Sequence, residues 1–374
     1  MTGPNESIRL TAADRPGVAQ PVPVRDVPER PWGPIVLFAA VLFAVLMAAW
    51  EWHWRQFGVE TGHYRNTEGL WAIQRRRIDR GEGDATVILG ASRMLFDVQL
   101  AVWERLAGKR PIQLALEGTS PMTPLEGLAD DPNFTGTVLV GVAPDVFFSE
   151  FEYRGAVFKA ARDETPAQRI GQWLSMHLLE PHVAYYDEDF ALRKLLKEEI
   201  AWPDRPGRKS GMDVRKLMET GIDRDTHMWH RLEEDAAYRD HARAVWAQDF
   251  DTPPDAEDIA YLQKAHDSVL KRAEAAVKKL RASGATVIFV RAPSAGRYYE
   301  FEQRVFPRKD TWDVLLARTG APGIHFEDHP EMQGLELPEW SHLARKDAER
   351  FTEALFHAVE QVKATPPAAA SPQT

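Results

Sequence analysis

The sequence predicts an α/β domain: a parallel sheet with helices on both faces, tethered by an apolar helix near the N-terminus. Three observations predict it. Five short apolar runs rich in β-branched residues recur along the chain, as in strands buried on both faces. Stretches with helical periodicity separate them, and strand–helix alternation is the mark of a parallel sheet. Finally, IVLFAAVLFAVLMAAW at residues 35–50 carries no charge.

Residues 1–31 are rich in Pro, Arg, Asp and Thr with little periodicity, which predicts a disordered cytoplasmic tail. The apolar span follows at 32–54, flanked by Trp32 and Trp52 as interfacial anchors. About 20 residues cross a bilayer core. A buried core helix would show a polar face, and this one has none. A cleaved signal would carry a much shorter charged region than the one here. Arg9, Arg15, Arg25 and Arg30 precede the span, whereas Arg55 and Arg65 after it are offset by Glu51 and Glu60. The bias predicts a single-pass anchor in the cytoplasmic membrane with the main domain, residues 60–362, facing the periplasm or exterior.

The expected strands are residues 86–89 (TVIL), 112–116 (IQLAL), 137–142 (TVLVGV), 285–290 (ATVIFV) and a weaker 323–326 (GIHF). One helical stripe is read over 94–106 through Leu95, Val98, Val102 and Leu106, another over 255–280, and a last one through Phe351, Leu355 and Val359. Residues 151–255, charged and broken by Pro181, Pro203, Pro206 and Pro253, are read as a helical insertion. Residues 363–374 are low-complexity and read as a second disordered tail.

The formal net charge is −10, which argues against a nucleic-acid partner. With no cysteine in the chain, disulfides, thiolate metal sites and Cys nucleophiles are excluded.

In open parallel sheets the working site lies at the carboxyl ends of the strands. Four stretches fall there: GASR with Ser92, LALEGTSP with Gly118, VGVAPDVFF, and LPEWSHL with Glu339 and His342. A serine hydroxyl needs a base to become a nucleophile, and the base needs an acid to orient it. His342 and Glu339, three residues apart, supply such a pair, with Asp328 and Asp347 as alternative acids. The N–H groups of Ser92 and Gly118 are candidate oxyanion donors. Ser92 has a plainer reading as a helix N-cap, and Gly118 as a turn glycine. Arg93 and Arg291 are candidates for binding an anionic part of the substrate, against surface salt bridges. Ser294 is a weaker rival nucleophile.

GASR after one strand, EGTSP after the next and ExxH before the last helix resemble the SGNH (GDSL-type) hydrolase superfamily, in particular its membrane-anchored bacterial branch that includes alginate O-acetylation proteins. The likeness covers roughly residues 84–150 and 283–358. It implies a flavodoxin-like three-layer sheet, Ser92 as nucleophile, Gly118 as an oxyanion donor, and Glu339 and His342 as the acid and base. Three positions depart from the pattern: GAS replaces GDS or GSS, the third block (GVAPD) has no Asn, and the acid is Glu rather than Asp. The implied activity is a serine acyltransferase or esterase acting on O-acyl, above all O-acetyl, groups of an extracytoplasmic polysaccharide or cell-wall glycan. The implied partners are that glycan and a membrane-embedded acyl donor protein. The alternatives are a catalytically silent scaffold that binds glycan or a biosynthetic partner, and a membrane-tethered lipase or thioesterase.

No cofactor is expected. HxxH at His227 and His230 with Asp223 and Asp225 near, and His325 with His329, have metal-like spacing. Neither has zincin order, so no metal centre is expected. Phosphate-loop and GxSxG patterns are absent.

Overall fold

The protein is described here from a computed structural model, which describes residues 30–190, 192, 214–248, 250–252 and 255–364. Most of the 1–31 segment and of the tail at 363–374 lies outside the described residues. The chain divides into two units, Met1–Trp50 and Glu51–Thr374.

The first unit holds most of the helix Trp32–Gln56. Its 25 residues extend about 37 Å at 1.5 Å per residue, enough for a hydrocarbon core of about 30 Å. The most apolar 18-residue window has a mean hydropathy of 2.3, and none of it is buried. The helix is therefore long and apolar enough to cross a membrane, and it is not a core helix of the soluble kind.

The second unit is built on a five-stranded parallel sheet. Its strands are β1 (Thr86–Leu89), β2 (Ile112–Gln113), β3 (Thr137–Gly141), β6 (Thr286–Arg291) and β7 (Gly323–His325), in the order β2-β1-β3-β6-β7. All five lie at the apolar runs expected. Partner pairs such as Val87↔Ile112, Ile88↔Leu139, Val140↔Phe289 and Val290↔Ile324 fix the register. Side chains alternate between faces. Val87, Leu89, Val138, Val140, Val287 and Phe289 share one core with Trp71, Leu125, Val269, Leu280 and Leu315, contributed by helices Glu68–Arg77, Met122–Ala129, Ala256–Ala282 and Trp312–Thr319. Helices Leu100–Ala107 and Arg345–Ala364 pack on each other, and the latter reaches β7, burying Phe351, Leu355 and Val359.

Two sequence expectations are corrected. The stripe at 94–106 is two helices, Ser92–Phe96 and Leu100–Ala107. The break is held by outside partners: the Gln99 N–H donates to Thr352 Oγ1 (2.9 Å), and the Asp225 carboxylate accepts from the Leu100 and Ala101 N–H groups. A remote carboxylate thereby caps the second helix, meeting donors that a helix start leaves unpaired. The insertion at 151–255 is also not wholly helical. It carries an antiparallel hairpin, β4 (Met218–Thr220) with β5 (Thr226–Met228). At the hairpin turn Arg224, fully buried, donates to the Gln113 and Ala115 carbonyls and to Asn66 Oδ1. Gln113 belongs to the edge strand β2, so the insertion is fastened to the sheet edge through backbone oxygens.

Candidate active site

The strand order turns back at β1, whose neighbours are β2 on one side and β3 on the other. At such a reversal the loops leaving the two central strands diverge and open a crevice at their carboxyl ends. Ser92 follows β1, Gly118 follows β2, Asp145 follows β3 and Ser294 follows β6.

Gly90 ends β1 with φ +149°. A Cβ there would lie 2.6 Å from Met94 Cγ, and one on Gly141 would lie 2.0 Å from the same atom. Two glycines on neighbouring strands thus clear the space into which Met94 folds, and the chain turns sharply from strand to helix. The N-cap is Ala91, in extended conformation, with no side-chain capping bond. Ser92 is the first helical residue. It stays half-buried where Ala91 and Arg93 are buried. The N-cap reading of Ser92 is therefore set aside: Thr67, Thr165, Asp235 and Asp255 cap other helices with side-chain hydrogen bonds, and Ser92 does not.

Residues 339–343 fold against this short helix. Glu339 Oε1 accepts from both the backbone N–H of His342 (2.7 Å) and its Nδ1 (2.8 Å), while Trp246 Nε1 donates to Glu339 Oε2. Glu339 and His342 are both buried. A carboxylate on Nδ1 places the proton there and leaves Nε2 as the basic nitrogen. His342 Nε2 is buried and has no hydrogen-bond partner among the described residues. The alternative acids are elsewhere: Asp328 pairs with Arg308, and Asp347 with the Glu336 N–H and Arg350.

Three consecutive residues of the loop meet the Ser92 helix. Arg93 Nε lies 3.4 Å from Ser341 Oγ, the Phe96 ring stacks on His342, and Asp97 Oδ1 accepts from the Leu343 N–H at 2.9 Å. Burial pushes the Asp97 carboxyl up to about 7, against the pull of nearby His342. Between Glu339 and His342, Trp340 holds φ +76°, a conformation that costs a bulky residue on the order of 1–3 kcal/mol. Its carbonyl accepts from the Ala295 N–H (2.8 Å), and its indole occupies the space a Cβ on Gly296 would need. The turn that brings Glu339 and His342 together is thus strained and braced.

Gly118 has φ +54°, and its carbonyl accepts from the Tyr153 N–H at 2.9 Å. Neither its own N–H nor that of Ser92 donates to a protein acceptor among the described residues. Ser120, two residues on, has a buried hydroxyl without a hydrogen-bond partner among the described residues. The sequence reading passed over Ser120, and only burial marks it.

Arg93 and Arg291 require a correction. Both are buried and both are paired with one carboxylate, Glu302, at 2.7 and 2.6 Å. Arg291 also donates to the Ala292 carbonyl and Ser294 Oγ. Their guanidinium groups are engaged by the protein itself, where an anionic part of the substrate was expected. Burial would raise Glu302, yet the two arginines hold its carboxyl below the ordinary value. Ser294 is buried and gives its hydroxyl to Glu302 Oε2 at 2.5 Å, so it belongs to the Arg93–Arg291–Glu302 group. In the third block, GVAPD, Asp145 is half-buried and accepts from Tyr298 Oη at 2.6 Å. Burial, with Glu302 beside it, raises the Asp145 carboxyl.

The metal-like spacings do not gather as written. Asp223 and Asp225 pair with Arg110, not with His227 or His230. His325 is buried against Phe326 and Trp312, and its pKa falls to about 3 through burial and the charges of Arg291 and Arg308.

No family model matches the chain, and no curated protein matches it either.

Proposed function

We propose that the protein is a membrane-anchored serine acyltransferase or esterase of the SGNH type, acting on O-acyl groups, foremost O-acetyl, of an extracytoplasmic glycan. The observation that carries this reading is the carboxylate–imidazole pair Glu339–His342. Its Nε2, which has no hydrogen-bond partner among the described residues, Ser92 Oγ included, belongs to a ring stacked on Phe96, in the helix that Ser92 begins. The strand order, which is that of flavodoxin-like sheets, adds support.

In this reading Ser92 Oγ attacks the acyl carbonyl while His342 Nε2 takes its proton. The N–H groups of Ser92 and Gly118 stabilise the oxyanion. The tetrahedral intermediate collapses, His342 returns the proton to the departing sugar oxygen, and the acyl group stays on Ser92 as an ester. A second hydroxyl or water, deprotonated by His342, then attacks the ester, and His342 returns that proton to Ser92 Oγ as the acyl group leaves it. Glu339 holds the ring and stabilises the imidazolium that forms. The apolar helix would hold the domain at the outer face of the cytoplasmic membrane, beside a membrane-embedded acyl donor.

A second reading, a silent scaffold that binds glycan or a biosynthetic partner, is favoured by one observation. The third block, GVAPD, has no Asn to complete an oxyanion hole, and its carboxylate, Asp145, is engaged by Tyr298. The test uses the full chain in detergent with p-nitrophenyl acetate and a fluorescent phosphonate. Ester turnover and labelling that both vanish in Ser92→Ala support the enzyme. Labelling that survives Ser92→Ala refutes Ser92 as nucleophile, and an inert wild type with intact glycan binding supports the scaffold.

A further inference from the structure

A second constellation lies away from Ser92, where the segment after the apolar helix meets the hairpin β4–β5. Glu219 of β4 is almost wholly buried. His227 stands opposite it in the hairpin register, with Nε2 3.3 Å from Glu219 Oε2. His63 Nε2 lies 3.3 Å from Glu219 Oε1 and 3.8 Å from Glu60 Oε2. His230 Nδ1 lies 3.8 Å from Glu219 Oε1. The donor atoms of Glu60, His63 and Glu219 all fall within 4.8 Å of one another.

Hydrogen bonding does not account for these approaches. Glu219 Oε1 and His63 Nε2 are both buried and both without a hydrogen-bond partner among the described residues, although they are 3.3 Å apart. Arg345 donates to Glu219 Oε2 at 3.0 Å, which leaves Oε1 as the uncommitted oxygen of a buried carboxylate. Two ligands at about 2.0–2.1 Å from a tetrahedral zinc ion are about 3.3–3.4 Å apart. The His63–Glu219 spacing equals that edge, and the two 3.8 Å spacings exceed it by a few tenths of an ångström. A cleft lined by Glu60, His63, Tyr64, Arg65, Glu188 and Lys216 among others opens beside the group.

We infer that His63 Nε2, Glu219 Oε1 and Glu60 Oε2 form a binding site for a zinc-class divalent ion. Imidazole and carboxylate are the ligands such ions take where no thiolate exists. The ion would staple the 60–63 segment to the hairpin, joining parts of the chain more than 150 residues apart. It would also neutralise a carboxylate that the fold has removed from water. The site is separate from Ser92, and its test does not depend on acyl transfer.

The experiment uses the untagged full chain in detergent, stripped with a chelator and titrated with Zn²⁺ against a chromophoric competitor. Co²⁺ serves as a spectroscopic stand-in. The expected result is one zinc per chain, an intense visible Co²⁺ band of a low-coordinate site, and a thermal midpoint raised by Zn²⁺ but not by Mg²⁺. His63→Ala and Glu60→Gln, both at partly or fully exposed positions, should each weaken zinc at least about 10-fold and abolish the Co²⁺ band, with circular dichroism unchanged. They keep the test decisive should Glu219→Gln fail to fold. Zinc uptake that is absent from the wild type, or equal in wild type and both variants, overturns the site.

Discussion

The rings of Phe96 and His342 stack with centroids 4.2 Å apart and 21° between their planes. Phe96 lies four residues after Ser92, one turn along the same helix, and so on the same face. The stack therefore relates the imidazole to the serine through one rigid turn. Phe96→Ala should lower kcat of ester turnover at least about 10-fold with little change in KM, because it disturbs positioning rather than binding. It should also cost about 3–5 kcal/mol in stability, as large-to-small changes of a buried aromatic do. Steady-state kinetics beside urea unfolding separates the two effects, and Phe96→Tyr or Trp should restore part of the turnover.

Glu339→Gln keeps the size of the side chain and removes its charge. The Nδ1 proton then loses its anionic acceptor, and the imidazolium formed in the reaction loses its stabiliser. Turnover should fall by about two to four orders of magnitude. Trp246→Phe, which removes the donor to Glu339 Oε2, should cost less, about 10-fold. Equal activity in Glu339→Gln and wild type would contradict the assigned role.

Asp97 gives a dependence on pH. In the fold its pKa is about 7, raised by burial, above the unfolded value of about 4. The protonated acid is the form the fold prefers. Its stabilising contribution is complete below the unfolded pKa and is lost as pH rises through 7. Urea unfolding should show a decline on the order of 2–4 kcal/mol from this group between pH 4 and 8. Asp97→Asn, which keeps an oxygen for the Leu343 N–H, should flatten that slope and leave the chain relatively more stable at pH 8.

Glu302 balances two buried guanidinium groups. Glu302→Gln should destabilise the chain by about 3–5 kcal/mol, since it strands buried charge. Thermal unfolding checks it. Because the arginines are committed to this carboxylate, anions should compete poorly with the ester substrate.

Much of this was legible in the sequence where the determinants are local. The five sheet strands are continuous apolar runs, and such runs announce burial on both faces. β2 is shorter than the run that predicted it, 112–113 against 112–116, yet the Leu114 and Leu116 N–H groups still donate to Ile88 and Gly90. Glu339 and His342 sit three residues apart, so their pairing needed only one turn. Arg93 was legible as a neighbour of Ser92, but its partner Glu302 is 209 residues away, and no short-range pattern reports such a pairing. The same holds for Glu219 and His63. Each is unremarkable in sequence, and only the hairpin brings them together. That hairpin escaped notice because two strands of three residues are too short to carry an alternation.

Arg224 bears on how this protein can be dissected. Its guanidinium covers carbonyl oxygens at the outermost strand of the sheet, and burial pulls its pKa down only to about 9, so it stays cationic at neutral pH. Excising residues 151–255 to obtain a minimal domain would uncover those oxygens and leave a bare sheet margin, open to pairing with another molecule. Such a truncation should aggregate, and the segment that looks like an accessory is in effect the seal on one side of the sheet.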